Sequence, residues 1–150
     1  MEPREQMAFS AIAAGAQSRL DDIGKLLLRI VVAALMLFHG ADKLLHGPGH
    51  VAADLAAHGL PGLLAYGVYI GELVAPAFIL IGAWTRFWAV VYALSIAFAT
   101  LLVHGGDFGH LAPTGAWAAE LWIFYIACPL IVGLLGPGRY SLRRAELPWD

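Results

Sequence analysis

The residues with the most chemistry in them stand in one apolar stretch. Leu26–Gly47, LLLRIVVAALMLFHGADKLLHG, carries Arg29, His39, Asp42, Lys43 and His46. His39, Asp42, Lys43 and His46 are spaced i, i+3, i+4 and i+7, so on a helix they share one face. Arg29 precedes Lys43 by nearly four turns and falls near the same face. A second group centres on Glu72, with Tyr69 one turn before it and Pro76 four residues after it. Proline has no N–H to give the Glu72 carbonyl, which leaves that oxygen open to a proton, a water or a ligand. Glu120 heads a third group, followed by Phe124, Tyr125 and Cys128 at helical spacing. Pro129 repeats there, at the Tyr125 carbonyl, the arrangement of Pro76 and Glu72.

A carboxyl group in apolar surroundings stays neutral unless a cation pairs with it. Lys43, His39 and Arg29 are the partners on offer for Glu72. Such a pair is either a packing lock between helices or a counter-ion and proton acceptor in a polar cavity. Histidines beside carboxylates also raise a metal. His46 and His50 are spaced i, i+4, a spacing that can place two imidazoles on one ion, but Gly47-Pro48-Gly49 interrupts the helix between them. There is no HExxH. His39 or His104 as a haem ligand would need a wide pocket. Metal or haem is therefore the weaker fit, and no metal ligands are assigned. A quinone headgroup fits better. It needs donors near its carbonyls, a group to exchange protons, aromatic walls and lipid access for its tail. On that reading Glu72, His39 and Lys43 form the catalytic set. Arg29, Asp42, Tyr69, His104 and Glu120 are the further cofactor-binding residues.

The elements that must hold these residues follow from composition. Of 150 residues, 60% are hydrophobic and only 13% charged, and the mean hydropathy is +0.72, outside the range of ordinary soluble domains. Net charge is −2, which argues against nucleic-acid binding. The single cysteine, Cys128, excludes an intrachain disulfide. Four apolar segments approach the roughly 20 residues needed to cross a bilayer: about 23–45, 63–84, 87–104 and 116–135. The second follows the breaker Gly59-Leu60-Pro61-Gly62, and the last ends at Gly136-Pro137-Gly138. Backbone groups in lipid must be paired internally, which makes these segments helices. The expected architecture is all-α, a polytopic four-transmembrane-helix bundle spanning residues 23–142. Residues 1–22 read as a cytoplasmic tail, partly helical or disordered and without a signal peptide's apolar run. Residues 143–150 read as a second tail.

Arg4 and Arg19 precede the first segment and Lys25 stands at its start, Arg86 lies in the second connection, and Arg139, Arg143 and Arg144 follow the fourth. The positive-inside rule then puts both termini in the cytoplasm and all six histidines in the outer half, with His39 roughly 10 Å below the surface. His39-Gly40-Ala41-Asp42 and His104-Gly105-Gly106-Asp107 suggest a weak internal repeat of two helices each. Gly67-x-x-x-Gly71 offers a close-packing face, either within the chain or to a partner.

The ordered set of motifs resembles the DoxX family of small four-helix bacterial membrane proteins. Arg29 and Phe38-His39-Gly40-Ala41-Asp42-Lys43-Leu44 carry the resemblance in the first helix. Gly71-Glu72-Leu73 and Leu80-Ile81-Gly82-Ala83-Trp84-Thr85-Arg86 carry it in the second. Glu120 and Leu135-Gly136-Pro137-Gly138-Arg139-Tyr140-Ser141-Leu142 carry it at the end. The family tail often has an Asp after Ser-Leu, where this chain has Arg143. The resemblance implies a multi-pass protein of the bacterial inner membrane. Its relatives include parts of quinone-dependent sulfur oxidation systems, of redox-stress complexes, and of systems that modify metal-binding peptides. It therefore implies a redox-related subunit, with partner subunits or a homo-oligomer, or else a non-catalytic anchor or assembly partner. The histidine-rich stretch from His46 to His58 is not part of the resemblance. It leaves a third, metal-handling reading.

Overall fold

The computed structural model describes residues 3–142. The C-terminal tail, with Arg143 and Arg144, lies outside them. The described residues are helical apart from turns and one isolated bridge between Leu111 and Trp117. Helix α1 runs from Pro3 to His46 and α2 from Gly49 to Ala57. The second apolar segment is composite: a 3-10 stretch Gly62–Gly67, a π-helical turn Ile70–Val74, then α3, Ala75–Ile81. Helix α4, Thr85–His104, continues into a 3-10 turn, Gly105–Gly109, and α5 covers Glu120–Leu135.

Three stretches are long and apolar enough to cross a membrane: Arg4–His46, Gly62–Ile81 and Thr85–Gly109. The fourth is shorter than its apolar run. It starts at Glu120 instead of Ala116, because the residues before it fold back: the Ala112 N–H donates to the Ala116 carbonyl and the Ala118 N–H to the His110 carbonyl. The resulting helix is about 24 Å long, against a hydrocarbon core of about 30 Å. Residues 3–22, read from sequence as a tail, continue α1 without a break. Residues 10–20 apart from Ala11 have exposed side chains there.

Helices α1, α3, α4 and α5 enclose one core of Val32, Ala33, Met36, Ala75, Ile79, Ala89, Tyr92, Ile96 and Val132. Small residues let the backbones meet. A methyl group on Gly40 would overlap the Glu72 carbonyl and the Leu73 side chain, and one on Gly71 would overlap Ser95. Gly71 therefore serves packing within the chain, whereas Gly67 has open space around it. Gly40→Ala should cost about 1–3 kcal/mol by overpacking, visible as a lower Tm in detergent. Gly24→Ala, where nothing lies within 4 Å of the new methyl, should leave the Tm unchanged or raised.

Arg29 closes the other end of the bundle. It is 1% exposed. Its Nε donates to the Ile79 carbonyl at 3.0 Å and Nη2 to the Leu80 carbonyl at 2.9 Å. Nη1 donates to the Pro137 carbonyl and, at 3.0 Å, to the Tyr140 carbonyl. The carbonyl groups at the C-terminal end of α3 and in the turn after α5 thus share one guanidinium, a placement the helix dipole favours. Gly82, at φ +75, ends α3 in the left-handed region, and a Cβ there would strike the same guanidinium. Arg29 is therefore not a partner of Glu72. It lies about 21 Å along α1 from Lys43.

Candidate functional site

The π turn is what brings Glu72 inward. Pro76 cannot serve as the fourth-residue donor to the Glu72 carbonyl. The helix widens by one residue, and the Ala75 N–H reaches back to Ile70 instead. Single π turns of this kind recur at functional sites. The Glu72 carbonyl does not open onto a cavity, since it abuts Gly40 of α1. The side chain, in a residue only 8% exposed, meets Lys43: Nζ lies 2.6 Å from Oε2. Tyr69 supports the lysine from the preceding turn, its hydroxyl donating to the Lys43 carbonyl at 2.9 Å.

This ion pair borders a cavity of about 630 Å³ enclosed by α1, the second segment, α4 and α5, with α2 across one end. The size is that of small-molecule sites. His39 and Lys43 line it from α1, and Glu72 lines it from the π turn. His39 Nε2 lies 3.4 Å from the Tyr125 hydroxyl, and the two rings meet edge to face. His104 lines the cavity stacked on Trp122, with ring centroids 4.1 Å apart. Asp107 accepts from the Trp122 indole at 3.3 Å and faces His104 Nδ1 at 3.1 Å.

The polar stripe of α1 thus divides. His39 and Lys43 turn to the cavity, while Asp42 and His46 are exposed and pair with each other at 2.9 Å. Glu120 is exposed in the first turn of α5 and does not border the cavity. There its charge suits the helix N-terminus. His46 and His50 are separated by Gly47 at φ +82, which ends α1. Among the described residues, no three His, Cys, Asp or Glu side chains gather as a metal site. The two halves of the suggested repeat also differ: His39–Asp42 lies inside α1, whereas His104–Asp107 ends α4.

Sequence reasoning missed Asp54, Ser95, Thr100 and Trp122, and it raised His50 and Tyr125 only in other roles. His50 and Asp54 of α2 border the cavity, as do Ser95 and Thr100 of α4 and Trp122 and Tyr125 of α5. Thr100 is 2% exposed, and its hydroxyl has no hydrogen-bond partner among the described residues. A polar pair in an otherwise apolar helix was the available signal. The lining also includes Ile70, Leu94 and Phe98, all well exposed on the outside of the bundle. The cavity therefore reaches the apolar surface between the second segment and α4. The chemistry on offer is a buried cation–carboxylate pair, histidines and the unpartnered Thr100 hydroxyl, walled largely by apolar and aromatic side chains.

Fold and site together define a small helical membrane protein with a largely apolar cavity that carries a buried ion pair on its wall. Residues 24–105 match the DoxX family, and the chain belongs to it. An "Uncharacterized protein" of Haemophilus influenzae is 32% identical over 115 residues, which cover 77% of this chain and 84% of that one. A Bacillus subtilis protein named "Putative oxidoreductase CatD" is 30% identical over 82 residues, 55% of this chain and 60% of its own length. No solved structure matches.

Proposed function

We propose that this chain is an integral inner-membrane subunit of a bacterial redox system, binding a quinone or quinol headgroup over the Lys43–Glu72 pair. The observation that carries this reading is the buried ion pair at 2.6 Å on the wall of a cavity lined also by the exposed apolar side chains of Ile70, Leu94 and Phe98. The name of the B. subtilis relative supports the redox class. A bound quinone would supply the two-electron, two-proton couple. The chain's own part is binding, orientation and proton handling. Lys43 donates to a headgroup carbonyl oxygen. Glu72, paired with the lysine at 2.6 Å, would take up a proton from the headgroup when the pair is broken. His39, tied to Tyr125, offers a second contact, and Thr100 has a hydroxyl to give. The short α5 counts as the fourth span, and the basic end of the bundle faces the cytoplasm with both termini.

A second reading, a non-catalytic anchor or assembly partner, draws on the helical extension at residues 3–22, whose side chains at residues 12–20 are exposed. Protein purified from its native membrane in mild detergent separates the two. Near-stoichiometric quinone in the organic extract is expected. A well-folded preparation without quinone would favour the anchor.

A further inference from the structure

The end of the bundle opposite the histidines holds a second cavity, about 470 Å³ in volume. Lys25 of α1, Arg86 at the start of α4 and Arg139 after α5 line it, over the backbone of Leu135 to Gly138. The turn that forms this floor is wedged between the cations. Gly136 and Gly138 have φ +74 and +70, where a side chain would be strained. A Cβ at Gly136 would stand 3.5 Å from the Arg86 guanidinium, and one at Gly138 would stand 3.3 Å from Lys25. Behind the floor, the Pro137 carbonyl accepts from Arg29. Three cationic side chains from three elements thus converge on one cavity, with a fourth beneath it. Asp22 stands beside Gly138, where it accepts the Arg139 N–H at 3.2 Å. Among the described residues, no carboxylate forms a salt bridge with the Lys25 or Arg139 side chain.

The cavity is also apolar along one edge. Leu135, part of its lining, is 46% exposed, and Ile131, one turn back on α5, is 44% exposed. Trp84, exposed at this same end, is of the residue type enriched at membrane–water interfaces. We infer that this cavity binds the phosphate headgroup of an anionic phospholipid, held by Lys25 and Arg139 with an acyl chain along Leu135 and Ile131. A phosphodiester suits the site because guanidinium groups grip its oxygens in pairs. Basic pockets between membrane helices take such headgroups. The site is separate from the Lys43–Glu72 cavity and does not depend on what that cavity binds.

The test uses full-length protein delipidated in a neutral detergent. It is titrated with phosphatidylglycerol, phosphatidylcholine or inorganic phosphate, following Tm and counting bound lipid by native mass spectrometry. One phosphatidylglycerol should be retained with a raised Tm, and phosphatidylcholine should be retained at least about tenfold less. Lys25→Gln and Arg139→Gln should each weaken phosphatidylglycerol binding about fivefold, with a lipid-free Tm near that of the parent. Arg139 is exposed, so Arg139→Gln carries the test by itself if Lys25→Gln folds poorly. Equal retention of the two lipids, an equal Tm rise with phosphate alone, or unchanged binding in the folded variants would overturn the inference.

Discussion

Arg29→Met will lower the stability of this protein by about 3–5 kcal/mol, the cost of breaking a buried charged network. The guanidinium binds the carbonyl groups of Ile79, Leu80, Pro137 and Tyr140. Two of these lie at the end of α3 and two in the turn that follows α5. Removing the donor strands buried oxygens, each costing about 1–3 kcal/mol if nothing replaces it. Some relaxation and water entry keep the total below the sum. Arg29→Lys should recover only part of the loss, since a single ammonium cannot reproduce the planar fork of donors. Thermal unfolding in mild detergent checks both variants. A Tm of Arg29→Met equal to that of the parent would show that this knot does not hold the bundle together.

The second large effect is at the ion pair. Lys43→Met leaves a carboxylate in a residue 8% exposed without its cation, again a loss of about 3–5 kcal/mol unless the carboxyl takes up a proton. Glu72→Gln leaves the ammonium in a similar position. The double variant Lys43→Met/Glu72→Gln removes both charges together. It should return to within about 1–2 kcal/mol of the parent, because a buried pair contributes little net stability. The double-mutant cycle should therefore show a coupling energy of at least about 4 kcal/mol, the two single losses less that of the double variant. Purely additive losses would mean that the two side chains act independently. The double variant also separates function from folding, since it keeps the bundle and removes the polar headgroup contacts.

The helices were legible because the bilayer permits few alternatives: apolar runs of about 20 residues must be helices. Lys43, Glu72 and Tyr69 were legible for the same reason, as polar groups in apolar helices that had to find one another. Arg29 was misleading. Periodicity placed it near the face of Lys43, but the 14-residue spacing already sets it about 21 Å away along the helix. Its true partners are main-chain carbonyls, which leave no mark in composition. The motif Gly136-Pro137-Gly138 was readable as a helix stop but not as a receptor for a guanidinium. Pro76 signalled a disturbed helix near Glu72. The sequence could not tell a free carbonyl from a π turn, because both relieve the same missing donor. Asp42 was drawn to the site by its spacing from His39, yet the i, i+4 contact with His46 keeps it outside. Ser95 and Thr100 passed unnoticed because single hydroxyl groups are common in membrane helices, where they bond to their own backbone.

The most direct measurement is a quinol-analogue titration followed by tryptophan fluorescence, with Trp122 on the cavity wall as reporter. It compares the parent with Lys43→Met/Glu72→Gln, after circular dichroism and Tm have shown that both are folded. Saturable quenching of the parent, with affinity at least about tenfold weaker in the double variant, is the predicted result; that factor corresponds to one charged hydrogen bond. Identical isotherms for the two folded proteins, or no saturable response in the parent, would contradict the placing of a quinone headgroup over the Lys43–Glu72 pair.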